Sequence, residues 1–222
     1  MNRVLVWDLP LRLFHWLLVV LVVVSFVSAK IGGNAMQVHL LSGYTVLTLV
    51  LFRILWGFLG STHSRFASFV RGPAAVIAYL RGLPAQKSAP ILGHNPAGAW
   101  SVVLMLAVLL AQAATGLFAN DDIATEGPLA KLVSKALSDR ITGMHYLNVK
   151  LLFALIGLHL SAVVYYVFYK RDNLVKPMLS GFKDGAAGAD DIAQHQGKTW
   201  LAAVLLAACA GCVYLLIKFP SA

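Results

Sequence analysis

Seven histidines occur in this chain of 222 residues, and four of them, His15, His39, His145 and His159, fall within or at the ends of long apolar runs. An ionisable side chain at membrane depth is costly and marks a functional position by default. Taken singly, each is equally well read as a core or interfacial histidine with a local partner. Their spacing argues for more. His145 and His159 are fourteen residues apart in one run, so on a helix they lie within about 40° of one face and about 21 Å apart along the axis. That face presents one imidazole near each membrane surface.

Depth pairs the other two. His15 opens the first run and His159 lies toward the end of the fourth, which travels the opposite way, so these two share a level. His39 opens the second run and His145 the fourth, from the other side, and they share the second level. The crossed pairings would separate ligands by most of a bilayer. Two facing histidines at equal depth in an apolar bundle hold one iron from both sides, the arrangement of a b-type haem, and no Cys-x-x-Cys-His run occurs for covalent attachment. Zinc is the rival, but it takes four ligands per site, and the third run contributes neither histidine nor cysteine.

The elements that position these histidines follow from composition. The chain is 59% hydrophobic and 12% charged, with a mean hydropathy of +0.76, against about a quarter charged in a soluble domain. A water-solvated globule of this length is excluded. Spanning a hydrocarbon core takes about 20 helical residues, and five runs qualify: 13–29, 38–58, 100–119, 143–168 and 200–217. The first is expected to be a retained span rather than a signal peptide, since Trp7, Asp8 and Arg12 precede it and no small-residue cleavage site follows before Lys30. With the N-terminus cytoplasmic, the inner segments hold twelve Lys and Arg, the outer ones five, and Lys150 lies within the fourth span. That asymmetry fixes N-inside and C-outside, and it explains the net charge of +9 without nucleic acid. The inner connection is expected to carry a surface helix over 74–83 and a turn at Gly93-His94-Asn95-Pro96, with Asn95 capping the third span. The outer loop 119–142 holds an amphipathic stretch over 128–137, and the inner loop 170–199 is Gly- and Asp-rich.

Several residues support this layout, each with a plainer alternative. Arg53 follows His39 by fourteen residues and so projects toward the inner pair, where a haem propionate would satisfy it; the alternative is snorkelling to the headgroups. Gly43, one turn beyond His39, and Gly157, beside His159, let a porphyrin approach the backbone or simply ease helix packing. Lys150 either points outward or meets a propionate. His94 and Asn95 stand on the inner side where a quinone would take up protons, or else they only start the third helix. Cys209 and Cys212 are read as small packing residues of the fifth helix, and His63 and His195 as solvated loop residues.

At these residues the sequence resembles the bacterial cytochrome b561 family, which includes the b-type cytochrome subunits of nickel–iron hydrogenases. The resemblance rests on Arg12-Leu-Phe-His15-Trp16, Val38-His39-Leu-Leu-Ser-Gly43, Arg53-Ile-Leu-Trp56-Gly57, Arg65-Phe-Ala-Ser-Phe-Val-Arg-Gly-Pro73, Gly93-His94-Asn95-Pro96, and His145 through His159 with Asn148 between. It implies an all-α integral membrane protein: a four-helix core over 1–180 with two haem b groups ligated by His15, His39, His145 and His159, followed by an inner loop and fifth span over 181–222. It further implies electron transfer in a bacterial inner membrane between the quinone pool and a redox partner, such as a cytochrome c or a hydrogenase-like subunit.

Two functional classes compete. One is a di-haem conduit working with a partner protein, as an electron-transfer protein or an oxidoreductase subunit. The other is a superoxide:quinone oxidoreductase that needs no partner. Superoxide capture would want a cationic outer funnel, and here Lys131, Lys135 and Arg140 are offset by Asp121, Asp122, Glu126 and Asp139. That balance favours the conduit.

Overall fold

The computed structural model describes residues 3–83, 92–184 and 198–218. In chain order the elements are β1 (Arg3–Leu5), α1 (Leu9–Ile31), α2 (Met36–Leu59), α3 (Phe66–Phe69), α4 (Pro73–Gly82), α5 (Pro96–Gly116), α6 (Lys135–Val164), α7 (Val175–Ser180), β2 (Phe182–Asp184) and α8 (Thr199–Lys218). α1, α2, α5, α6 and α8 are each long and apolar enough to cross a membrane. Large apolar side chains such as Leu13, Val20, Leu41, Phe58, Leu147 and Leu158 are exposed on them, as hydrocarbon rather than water solvates such a surface. The protein is an all-α helical bundle of multi-pass membrane type.

The helices begin before their apolar runs, and α5 stops at Gly116, short of the expected 119. α5 starts at Pro96 rather than Trp100, because Asn95 Oδ1 accepts the Gly98 N–H at 2.7 Å and proline suits the first turn. α6 starts at Lys135 rather than Gly143, and Ser134 caps it by accepting the Leu137 N–H. The amphipathic stretch expected over 128–137 is therefore split, with one 3-10 turn at Ala130–Leu132 and its last residues in α6. α6 ends in a π turn, Tyr165–Tyr169. The expected surface helix is α4. The expectations for His195 and for the loop beyond Asp184 fall outside the described residues.

Two compact units divide the chain. The first takes Met1–Leu13, Leu55–Met105 and Leu155–Ala202. In it β1 pairs antiparallel with β2, Val4 opposite Lys183. Val6 and Trp7 then both donate to the Gly181 carbonyl, at 2.8 and 3.1 Å. Gly181 has φ +89°, and a Cβ there would lie 2.9 Å from the Trp7 carbonyl oxygen, so only glycine fits. Asp8 caps α1, its Oδ1 accepting the Leu11 N–H at 2.8 Å. Its Oδ2 accepts from Trp56 Nε1 and Ser64 Oγ, both at 3.0 Å. A carboxylate 5% exposed is thus fully used as an acceptor.

The second unit takes Phe14–Ile54, Leu106–Ala154 and Ala203–Ala222. Its core gathers Leu47 of α2, Leu117 and Leu129 of the outer loop and Val213 of α8, with Tyr44 and Leu110 packed against them. α8 thereby contributes to this core. Cys209 is buried and Cys212 exposed on that helix. The outer loop folds on itself: Gly127 N–H donates to Ala119 and Leu129 N–H to Leu117. Asp121 Oδ1 accepts the N–H groups of Ile123, Ala124 and Thr125. These donors favour the ionised form and hold its carboxyl down to about 2.

Candidate functional site

His39 and His145, both in the second unit, face each other with ring centroids 6.3 Å apart and planes at 89°. Two imidazoles sharing one metal stand about 6 Å apart centre to centre, because each nitrogen binds at about 2 Å and the ring centre lies about 1 Å behind it. Their protons are assigned by their neighbours. His39 Nδ1 lies 2.8 Å from the Ser25 carbonyl oxygen of α1. His145 Nδ1 lies 3.0 Å from the Gln112 carbonyl oxygen of α5, with Thr115 Oγ1 at 3.1 Å. A carbonyl only accepts, so each Nδ1 carries its hydrogen and donates, and each Nε2 is unprotonated, the form that binds a metal.

The surroundings of this pair are close on one side and open on another. A Cβ on Gly116, the last residue of α5, would lie 3.1 Å from His145 Cε1. A Cβ on Gly43, one turn after His39, would meet no protein atom within 4 Å, as a flat group passing that backbone requires. Ser42 Oγ donates to the His39 carbonyl at 3.0 Å and shares a hydrogen bond with Ser25 Oγ at 2.6 Å, tying the second turn of α2 to α1. Among the described residues no three His, Cys, Asp or Glu side chains gather as a metal site, so the donor set here is two opposed imidazoles. That set fits a haem iron, whose other four ligands come from the porphyrin.

The inner residues are placed as follows. His15 belongs to the second unit and His159 to the first. Both rings are half-buried, and His15 stands edge-on to Trp16 at 5.0 Å. Arg53 is 1% exposed, so its guanidinium is held inside the protein and does not snorkel. Lys150 is exposed and points outward. His94, in the first unit, sits between Trp7 and Phe69, with centroids 4.6 and 4.5 Å away. Asn95 is engaged as the α5 cap. His63, expected to be solvated, is instead half-buried beside Gly93, and burial pushes its imidazole pKa down.

Sequence reasoning passed over Ser25, Gln112, Thr115 and Gly116. One signal was available: Gln112 is an amide in the middle of an apolar span, where polar groups need a partner.

A bundle of apolar helices carrying opposed imidazoles defines a membrane cytochrome of b type. The chain belongs to the prokaryotic cytochrome b561 family, whose model matches residues 6–181. Neither a curated protein nor a solved structure matches it. The chain is therefore a haem b-binding membrane protein of electron transfer.

Proposed function

We propose that the chain holds two b haems and passes electrons between the quinone pool and a redox partner protein. The observation that carries this reading is the His39–His145 pair, 6.3 Å apart with both Nδ1 atoms donating to main-chain carbonyls. These two residues hold the outer haem, and His15 with His159 the inner one, a pairing supported by their depth along the helices. Each haem supplies one-electron chemistry at its iron when bound. The chain's part is to fix the ligand tautomers, exclude water from the pair and keep the cofactor off polar solvent.

Quinone reduction consumes two protons with two electrons, and His94 at the inner side is the group we assign to proton delivery. Its ring is half-buried between Trp7 and Phe69, and an imidazole is the side chain suited to exchanging protons near neutrality. Asn95 helps only by setting the turn that carries His94. At the outer face, Lys135 is paired with Asp122 at 2.5 Å and with Asp139. That cation is neutralised, which supports a docking protein over capture of a small anion.

Redox-monitored optical spectra of purified His→Ala variants test the reading. His39→Ala and His145→Ala should lose the same haem, and His15→Ala and His159→Ala the other. A preparation with one haem, or a crossed pattern of loss, rejects it. His94→Ala should slow quinol-dependent reduction with both haems retained.

A further inference from the structure

One polar chain in the second unit runs from the Val108 carbonyl through Asn148 and Gln112 to His145, and its direction is fixed from one end to the other. The Val108 carbonyl can only accept, so the side-chain atom of Asn148 facing it at 2.9 Å is Nδ2. That same amino group meets Gln112 at 2.8 Å, which makes the Gln112 atom there Oε1. Gln112 Nε2 is then turned to His145, 2.9 Å from Nε2 and 3.2 Å from Nδ1. Nearly equal distances to both ring nitrogens put the amide over the face of the imidazole, because in the ring plane the same distances would drive it into Cε1, and so it lies off the lone-pair axis of Nε2. The axis along which a metal binds stays clear.

We propose that Gln112, oriented by Asn148, is the positioning residue that tunes the outer haem through His145. This rests on His145 being a haem ligand. The N–H end of an amide dipole beside the ligand ring places partial positive charge next to the redox centre, and in an apolar interior that charge is little screened. Positive potential favours the state that has gained an electron, so the network raises the potential of the outer haem. The Gln112 carbonyl does a different job, holding the Nδ1 hydrogen, and it survives any change of side chain. Asn148 acts one step back, by deciding which end of the Gln112 amide faces the ring.

Redox titration of the purified, haem-loaded protein in detergent tests this, with the inner haem as an internal control for folding. Gln112→Met keeps length and packing but removes the dipole, and the outer potential should fall. Gln112→Glu keeps the acceptor for Asn148 but sets negative charge against the ring, and the potential should fall further. Asn148→Leu should shift it the same way as Gln112→Met, and the double variant should fall no further than Gln112→Met alone, because both act through one amide. Unmoved potentials in Gln112→Met and Gln112→Glu, a rise, or equal shifts in both haems overturn the proposal. If the moved potential belongs to the haem that His145→Ala retains, it is the ligand assignment that fails.

Discussion

Gly116 is the position where a single carbon atom tests whether the observed place of His145 is its working place. A Cβ there would lie 3.1 Å from His145 Cε1, where ordinary contacts begin at 3.4 Å, so Gly116→Ala asks the ring to retreat by a few tenths of an ångström. Alanine in a helix is otherwise better than glycine by up to about 1 kcal/mol. Gly116→Ala should therefore leave the melting temperature in detergent unchanged or raised while weakening haem retention at the outer site. Gly116→Val extends the side chain by a further bond of about 1.5 Å. A small retreat no longer relieves that overlap, and overpacking of this kind costs about 1–3 kcal/mol. Displacing a ligand from its supporting acceptor weakens metal binding by about 10–100-fold, and Gly116→Val should fall in that range. The assay is transfer of haem to excess apomyoglobin, scored against total haem content and followed by redox titration. Two tightly held haems with unchanged potentials in Gly116→Val would refute the reasoning, since His145 would then bind its iron from somewhere else.

Asp8→Ala removes a helix cap worth about 1 kcal/mol and a charged acceptor from Trp56 and Ser64 worth about 1.5 kcal/mol each; thermal unfolding should show a loss of about 3–4 kcal/mol, with Asp8→Asn between variant and parent. Asp121, held down to about 2 from 3.8 by backbone donors, gives its loop a contribution that is complete above pH 4 and is lost as pH falls toward 2. Pepsin cleavage of the 119–134 loop in Asp121→Ala should thus exceed that of the parent at pH 4, and the two rates should converge near pH 2.

The spans and the facing of His39 and His145 were legible because they depend on quantities a sequence carries directly: run length against bilayer thickness, and depth along an antiparallel pair of helices. Asn95 and Pro96 likewise announced the start of α5, since capping is a local matter. The extra turns of α6 were hidden because its first residues are polar, and hydropathy marks where lipid begins rather than where the helix does. Asp8 read as a charge preceding a span, yet its partners Trp56 and Ser64 are forty-eight and fifty-six positions away, which no local pattern reveals. Gln112 and Asn148 are amides inside apolar spans, a signal the sequence carries, but which histidine they serve depends on the rotation of α5 against α6.

Both hydrogen bonds that set the histidine tautomers end on backbone oxygens, those of Ser25 and Gln112. Every residue except in its side chain offers the same oxygen, so no point mutation at either position deletes the acceptor. The tautomer is protected genetically by being independent of residue identity, and only a slide or twist of α1 or α5 by part of a turn would release it. Drift in the side chains facing lipid can then proceed without touching His39 or His145. Insertions or deletions within those two helices cannot, and they are the changes this design leaves it no means to absorb.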